Sequence, residues 1–272
     1  MRGITRGYID SGQGQVHFRH AGQGLRPLIL LHQSPLSGTQ FDAVMPELVA
    51  AGFQPLALDM PGFGMSDAPP DGATLQDYAA IIPAALSHFG WSACPIVGHH
   101  TGAVVAALYA AEHAERVPAL VLNGFPVLTQ AERDHFATFY FGPKDPKPDG
   151  SHLITAWENR LRSSPGWSDL RLMHRYTVEA LYRGESNWRA FPLIMNADLA
   201  ATLQALRVPT LMFTNTGEDL YDSTRRAFAL RPEFFDYAEL PGGNHDIVDQ
   251  QPQAWTQVVA DFLDKRLAGE LR

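Results

Sequence analysis

A doubly wound α/β fold, a mostly parallel sheet with helices on both faces, is predicted by three observations. Short continuous apolar runs recur along the chain, helical stretches lie between them, and one long interruption is rich in aromatic residues. The runs are Leu28-Ile29-Leu30-Leu31, Leu56-Ala57-Leu58, Ile96-Val97, Leu120-Val121-Leu122 and Leu211-Met212-Phe213. Strands buried on both faces need apolar side chains at consecutive positions, so these runs read as central parallel strands. Before them, Tyr8-Ile9 and Val16-His17-Phe18 flank Asp10-Ser11-Gly12-Gln13-Gly14, a turn-rich segment that predicts an antiparallel hairpin at the sheet edge. Helices are expected over 75–89, over the Ala-rich stretch 101–114, and over 255–267, where apolar residues return at helical spacing. Between Leu122 and Pro209 lie about 85 residues, far more than an ordinary connection in an α/β unit. The organisation expected is therefore a core formed by 1–124 and 207–272, with a helical cap inserted at 125–206. Helical character in the cap centres on 152–162, 169–182 and 191–205, and Gly142 to Gly150 reads as a loop.

Composition narrows the function. The chain has 272 residues, enough for one large domain with a sizeable core. Its 21 basic and 29 acidic residues give a net charge of -8, and no basic cluster exceeds a pair such as Arg225-Arg226, so binding to nucleic acid or anionic lipid is disfavoured. Cys94 is the single cysteine, which excludes an internal disulfide framework and any Cys-based zinc or iron–sulfur site. Residues 1–7 lack the apolar core of a signal peptide, and the longest apolar runs fall short of a membrane span. A soluble, cytoplasmic protein with a small-molecule substrate is expected, as a monomer or homodimer and with no cofactor.

The chemistry concentrates in a few turns. Leu30-Leu31-His32-Gln33-Ser34-Pro35 closes one strand, and Asp59-Met60-Pro61-Gly62-Phe63-Gly64-Met65-Ser66 another. Val97-Gly98-His99-His100-Thr101-Gly102 joins a strand to a helix, and Asp219 and Gly243-Asn244-His245 follow late in the chain. In this order the motifs resemble the α/β-hydrolase superfamily, of the kind that includes esterases, C–C hydrolases and dehalogenases, and the resemblance covers nearly the whole chain. It implies that Gly98-x-x-x-Gly102 is a nucleophile elbow, where two glycines permit a tight turn that lifts the central side chain above the sheet. It also implies that the Thr101 and Ser34 N–H groups face a developing oxyanion, that Asp219 orients a histidine, and that His245 is that histidine. Gln33 stands where the family's loop usually has glycine, so a different loop shape is expected.

The departure lies at the centre: the elbow position that holds Ser, Asp or Cys in the family holds His100. A neutral imidazole can attack an activated acyl group; alternatively, His100 and His245 can act as an acid and base pair, with a water in place of a covalent nucleophile. The second route is favoured, since it needs no strained attack by the ring. A metal held by His100, His245 and Asp219 is the less favoured third option, because the acid is expected behind His245. His100, Asp219 and His245 are thus the candidate catalytic residues, with Ser34, Gln33 and Thr101 beside them. Trp157 and His152 are cap residues that could line the pocket, within an aromatic ceiling of Phe125, Tyr140, Trp167, Tyr176, Tyr182 and Trp188 that favours an apolar or aromatic substrate. His32, Asp59, Gly62, Gly64 and Ser66 read as loop-shaping residues, His99 as packing under the elbow, and His20, His88, His113 and His135 as ordinary histidines. The expected function is hydrolysis of an ester, lactone, amide or C–C bond in a small metabolite. A cofactor-free lyase, isomerase or dehydratase is the alternative, and a non-catalytic small-molecule receptor the third.

Overall fold

In the computed structural model, residues 3–139, 145–167, 169–184 and 186–268 are described. The expected aromatic Tyr140 and the loop residues 142–144 lie outside them. Eight strands form one sheet: β1 (Thr5–Asp10), β2 (Gln15–His20), β3 (Arg26–Leu31), β4 (Phe53–Leu58), β5 (Ile96–His99), β6 (Leu120–Asn123), β7 (Thr210–Asn215) and β8 (Phe235–Leu240). Their order is β1-β2-β4-β3-β5-β6-β7-β8. The hairpin pairs antiparallel with itself and with β4, and every later pairing is parallel. The consecutive apolar positions serve two cores: Ile29 and Leu31 point to one layer, Leu28 and Leu30 to the other. The expected doubly wound architecture is present.

The helices are α1 (Met45–Ala50), α2 (Leu75–Ala79), α3 (Ile81–Phe89), α4 (Thr101–Glu112), α5 (Gln130–Phe139), α6 (Ser151–Ser163), α7 (Leu170–Tyr182), α8 (Ala190–Asn196), α9 (Leu199–Ala205), α10 (Tyr221–Ala229), α11 (Ile247–Gln250) and α12 (Pro252–Leu267). Residues of α1, α11 and α12 pack on one face of the sheet, and those of α2, α3, α4 and α9 on the other. No helix among the described residues is long and apolar enough to cross a membrane.

Two expected helices are each divided in two. The stretch 75–89 breaks at Ala80, because Pro83 has no N–H to give the Ala79 carbonyl. The stretch 191–205 breaks at Ala197, which is extended, and restarts at Asp198, whose carboxylate caps the next helix by accepting from Ala201 N–H at 3.0 Å. Helix α10 was not anticipated, because its buried positions are Ser223, Thr224 and Ala227, which give no apolar periodicity.

Helix α4 is buried almost all round and sits against β3 through Gly102, whose N–H donates to the His32 carbonyl at 3.0 Å. A Cβ at Gly102 would run into the Leu31 carbonyl, and one at Gly98 into the backbone of Gly102 and Ala103. Gly→Ala inside a helix ordinarily stabilises by about 1 kcal/mol. Here the sign reverses: Gly102→Ala is expected to destabilise by about 1–3 kcal/mol, read as a lower urea midpoint at unchanged slope. An unchanged or raised midpoint would show that the strand and helix can separate freely.

Candidate active site

Between β5 and α4 the chain turns through His100 at φ 49 and ψ -107, the single non-glycine residue of positive φ among the described residues. Such a conformation costs an L-residue about 1–3 kcal/mol and persists only where its surroundings enforce it. The His100 N–H donates to the Asn123 carbonyl at 2.8 Å, and the tight Gly98 and Gly102 contacts hold strand and helix around the turn. Thr101 follows as the first residue of α4, where the helix N-terminus favours negative charge.

The His100 imidazole reaches the loop after β7. Its Nε2 lies 2.7 Å from Glu218 Oε2, and the other carboxylate oxygen accepts from the Thr214 hydroxyl. The Glu218 side chain is fully buried. The ring fits because Gly124, at the end of β6, has no side chain there: a Cβ would overlap His100 Cδ2 and Nε2. Sequence reasoning missed Glu218. Its only signal was a second carboxylate directly before Asp219.

His99 is buried beneath the turn, edge-on to His100 with ring centroids 4.4 Å apart. Its tautomer follows from its neighbours. Gln33 N–H donates to Gln40 Oε1 at 3.0 Å, so the Gln40 amide nitrogen, 2.6 Å from His99 Nδ1, is the donor there, and the His99 proton sits on Nε2. That nitrogen is buried without a partner. Burial, and then His100 and His245 nearby, hold the His99 pKa well below its ordinary value, so it is neutral. His99, His100 and Glu218 bring ligand atoms within 4.8 Å of one another, a group of metal-ligating type. The hydrogen bonds already commit His99 Nδ1 and the facing atoms of His100 and Glu218, and the protonated His99 Nε2 has no lone pair to offer a cation.

His245 lies in the Gly-rich turn after β8. Its Nδ1 is 3.5 Å from Asp219 Oδ1, the expected acid, whose side chain is 35% exposed. On its other side Nε2 accepts from Arg160 Nη1 at 3.1 Å, so the Nδ1 proton faces Asp219. Arg160, from α6, also pairs with the buried Asp246, which accepts the Ser164 hydroxyl at 2.9 Å and the Gln33 amide at 3.3 Å. Burial pulls the His245 pKa down, but Asp246 and Asp219 outweigh it and leave it raised. Burial would push Asp219 up; its hydrogen bond to His245 and the charges of both histidines instead hold it far below the usual carboxylate range. The expected trio thus resolves into two pairs, His100 with Glu218 and His245 with Asp219.

Two cavities meet at Ser34. The larger, about 130 Å³, is lined by Gln33, Ser34, Asn159, Arg160, Trp188, Asp219 and His245 among others. The smaller, about 50 Å³, is walled by His100, Thr101, Ser34, Phe136, Phe191 and Leu220 among others. Ser34 N–H, an expected oxyanion donor, gives its hydrogen to Thr101 Oγ1 at 3.2 Å, and the Thr101 hydroxyl donates to Ser34 Oγ at 2.9 Å. Gln33 keeps a place in the wall while tying its loop to Asp246. His152 and Trp157 are corrected: neither lines either cavity. Helix α6 brings Ala156, Asn159, Arg160, Arg162 and Ser163 to the larger cavity and not Trp157, and His152 Nδ1 accepts the Lys147 N–H at 3.1 Å on the surface. Tyr176 and Trp188, two of the expected ceiling aromatics, stand in the wall of the larger cavity. His32 and Asp59 shape loops as expected: His32 Nε2 accepts from Met60 N–H at 3.0 Å, and Asp59 accepts from Gly38 and Met65 N–H at 2.8 and 2.9 Å.

A family model described as alpha/beta hydrolase fold matches residues 26–218. Epoxide hydrolase 3 of Xenopus tropicalis is 33% identical across 94% of this chain and 77% of its own length. A non-heme haloperoxidase of Rhodococcus erythropolis is 35% identical across 46% of this chain and 47% of its own, and a soluble epoxide hydrolase of a Corynebacterium is 33% identical across 43% and 41%. The chain therefore spans less than half the length of these last two relatives. Among solved structures, a thermophilic esterase from Thermogutta terrifontis superposes with a TM-score of 0.78 at 22% identity, covering 96% of this chain and 99% of the esterase. An enol-lactonase from Burkholderia xenovorans superposes with a TM-score of 0.78 at 16% identity, covering 94% and 99%.

Proposed function

From the premise that this chain belongs to the α/β-hydrolase fold family, we propose that it is a hydrolase of a small apolar or aromatic metabolite, cleaving an ester, lactone, amide or C–C bond at His100, Asp219 and His245. Segment 125–206 serves as its cap. The observation that carries the reading is the strained turn at His100, which sets an imidazole on the wall of a cavity that Thr101, at the start of α4, also lines. Strain of this kind is otherwise shed by a glycine. The relatives named epoxide hydrolases and a hydrolase of 2-hydroxy-6-oxononadienedioate support hydrolysis as the class and differ in the bond broken, while the one named a haloperoxidase carries a different reaction in its name.

In this reading a water, not a side chain, is the nucleophile, because the elbow position, held by His100, offers no hydroxyl, thiol or carboxylate. The two histidines divide the proton work. His245, whose pKa is raised by two carboxylates, is suited to hold a proton and deliver it to the leaving group. Arg160 must first leave Nε2, and a substrate entering the larger cavity comes between them. The Thr101 N–H and the α4 terminus receive the oxyanion.

Turnover of a panel of short acyl esters and ring-cleavage-type diketones in heavy-oxygen water tests the class. Hydrolysis places the label in a product. The same two imidazole–carboxylate pairs would also suit a lyase or isomerase that only moves protons, and turnover with no label incorporated would establish that reading in place of hydrolysis. Binding without turnover of any compound would mark a receptor.

A further inference from the structure

The mechanism above leaves one buried charge unused. Glu218 is fully buried, among the described residues no Lys or Arg pairs with it, and both its oxygens accept, one from the Thr214 hydroxyl and one from His100. Holding a carboxylate there is costly unless its partners are fixed. With Glu218 accepting, His100 carries its proton on Nε2, and the lone pair left to it is on Nδ1. That nitrogen has no partner in the described structure and is not among the buried unsatisfied atoms, whereas His99 Nε2, one residue earlier, is. The ring also forms part of the smaller cavity, whose other walls are mainly apolar, among them Pro126, Phe136, Phe191 and Leu220. About 50 Å³ accommodates a water and a small group.

We infer that Glu218 is the positioning residue of a His100–Glu218 dyad: it fixes the ring with Nδ1 toward the smaller cavity, so that His100 takes the proton of the attacking water and the group attacked seats there. The larger cavity, where His245 sits, then holds the leaving part, and the scissile bond crosses at Ser34, which both cavities share. The inference rests on the hydrolase reading. In the step, a water O–H bond breaks and its proton goes to His100 Nδ1. The water oxygen bonds to the carbonyl carbon, and the C=O π pair moves to the oxygen beside the Thr101 N–H. As the oxyanion collapses, the bond to the leaving group breaks with its electron pair, and His245 gives that group a proton. The His100 proton then passes through water to His245, which restores both rings. Glu218 never loses or gains a proton; it stabilises the imidazolium that forms, as a carboxylate behind a catalytic histidine does.

The test uses the full chain and 4-nitrophenyl acetate. Glu218→Gln keeps size but removes the charge and leaves one acceptor oxygen in place of two, and is expected to lower kcat by about 10²-fold or more with KM little changed. A role confined to folding would lower stability without changing which His100 nitrogen carries the proton. In parallel, nitrogen-15 NMR of the imidazoles, with His100 assigned by His100→Gln, is expected to show the proton on Nε2 in the wild type and a tautomer mixture in Glu218→Gln. Activity within twofold of wild type, or a wild-type proton on Nδ1, overturns the dyad. If no ester is turned over, the hydrolase reading fails while the NMR still decides the dyad. Should Glu218→Gln not fold, the wild-type tautomer, together with Thr214→Val, which removes one donor to the carboxylate, decides it: a wild-type tautomer on Nε2 that is lost in Thr214→Val supports the dyad.

Discussion

His245→Gln is expected to lower kcat/KM on short acyl esters by about 10²–10⁴-fold, the range a positioned acid or base contributes, with the fold and thermal midpoint nearly unchanged. The reason is geometric: Nδ1 faces Asp219 at 3.5 Å, leaving Nε2 as the atom that meets the larger cavity once Arg160 withdraws. The sign of the pH dependence follows from the same contacts. Asp246 and Asp219 raise the His245 pKa above 6.5 against the pull of burial and of Arg160. A proton donor works below its pKa, so activity should fall on the alkaline side of that raised pKa. Asp219→Asn removes one of the two raising charges and should draw that alkaline fall to lower pH. A pH–rate profile in which Asp219→Asn leaves the alkaline limb in place, or full activity of His245→Gln, would remove His245 from the mechanism.

Asp249→Asn should make the protein more stable at pH 8 and leave its stability little changed at pH 4. Asp249, at the end of α11, hydrogen-bonds the hydroxyl of Tyr176, which is buried on α7, and burial is the main cause that pushes its pKa up to about 7. Asp246 raises it further, while the Tyr176 hydrogen bond, Arg175 on α7 and Arg160 on α6 oppose. A carboxyl whose folded pKa exceeds its unfolded value of about 3.9 binds its proton more tightly when folded. Its contribution is therefore full below about pH 4, declines as pH rises toward about 7, and is absent above that. A gap of about 3 pH units corresponds to up to about 4 kcal/mol. Asn keeps the hydrogen bond to Tyr176 and cannot ionise, so it escapes the loss. Urea midpoints of wild type and variant at pH 4, 6 and 8 measure the difference, in which all other titrating groups cancel. A difference that stays constant with pH would mean that Asp249 is charged in its buried place without penalty. Because Tyr176 belongs to a helix between β6 and β7, the same experiment reads how firmly that segment rests on the core.

Much of the architecture was legible because its causes are local. Continuous apolar runs such as Leu28 to Leu31 are needed by any strand covered on both faces, and Gly98 and Gly102 mark a turn in which no Cβ fits. The helix boundaries at Ala80 and Ala197 escaped the apolar pattern, since they depend on a missing proline N–H and a capping carboxylate. Helix α10 escaped it because Ser223, Thr224 and Ala227 are buried through hydrogen bonding and small size, not through apolar periodicity. At the site, His100, Asp219, His245, Ser34, Thr101 and Gln33 could be named from motif order. Trp157 and His152 could not be placed correctly, because a residue's direction around α6 is set by how that helix docks.

What the sequence by itself determined is the sheet, the turn that strains His100 and the late Asp219 and His245, all of which rest on interactions within a few residues or on strand-to-helix order. What only the tertiary structure decided is partnership. His100 meets Glu218 across 118 positions of sequence, and Arg160 meets His245 across 85. Neighbouring carboxylates 218 and 219 serve different histidines because successive residues of the loop after β7 point to different sides. That direction is fixed by backbone geometry, by the space Gly124 leaves for a ring, and by the Thr214 hydroxyl below, none of which leaves a pattern along the chain.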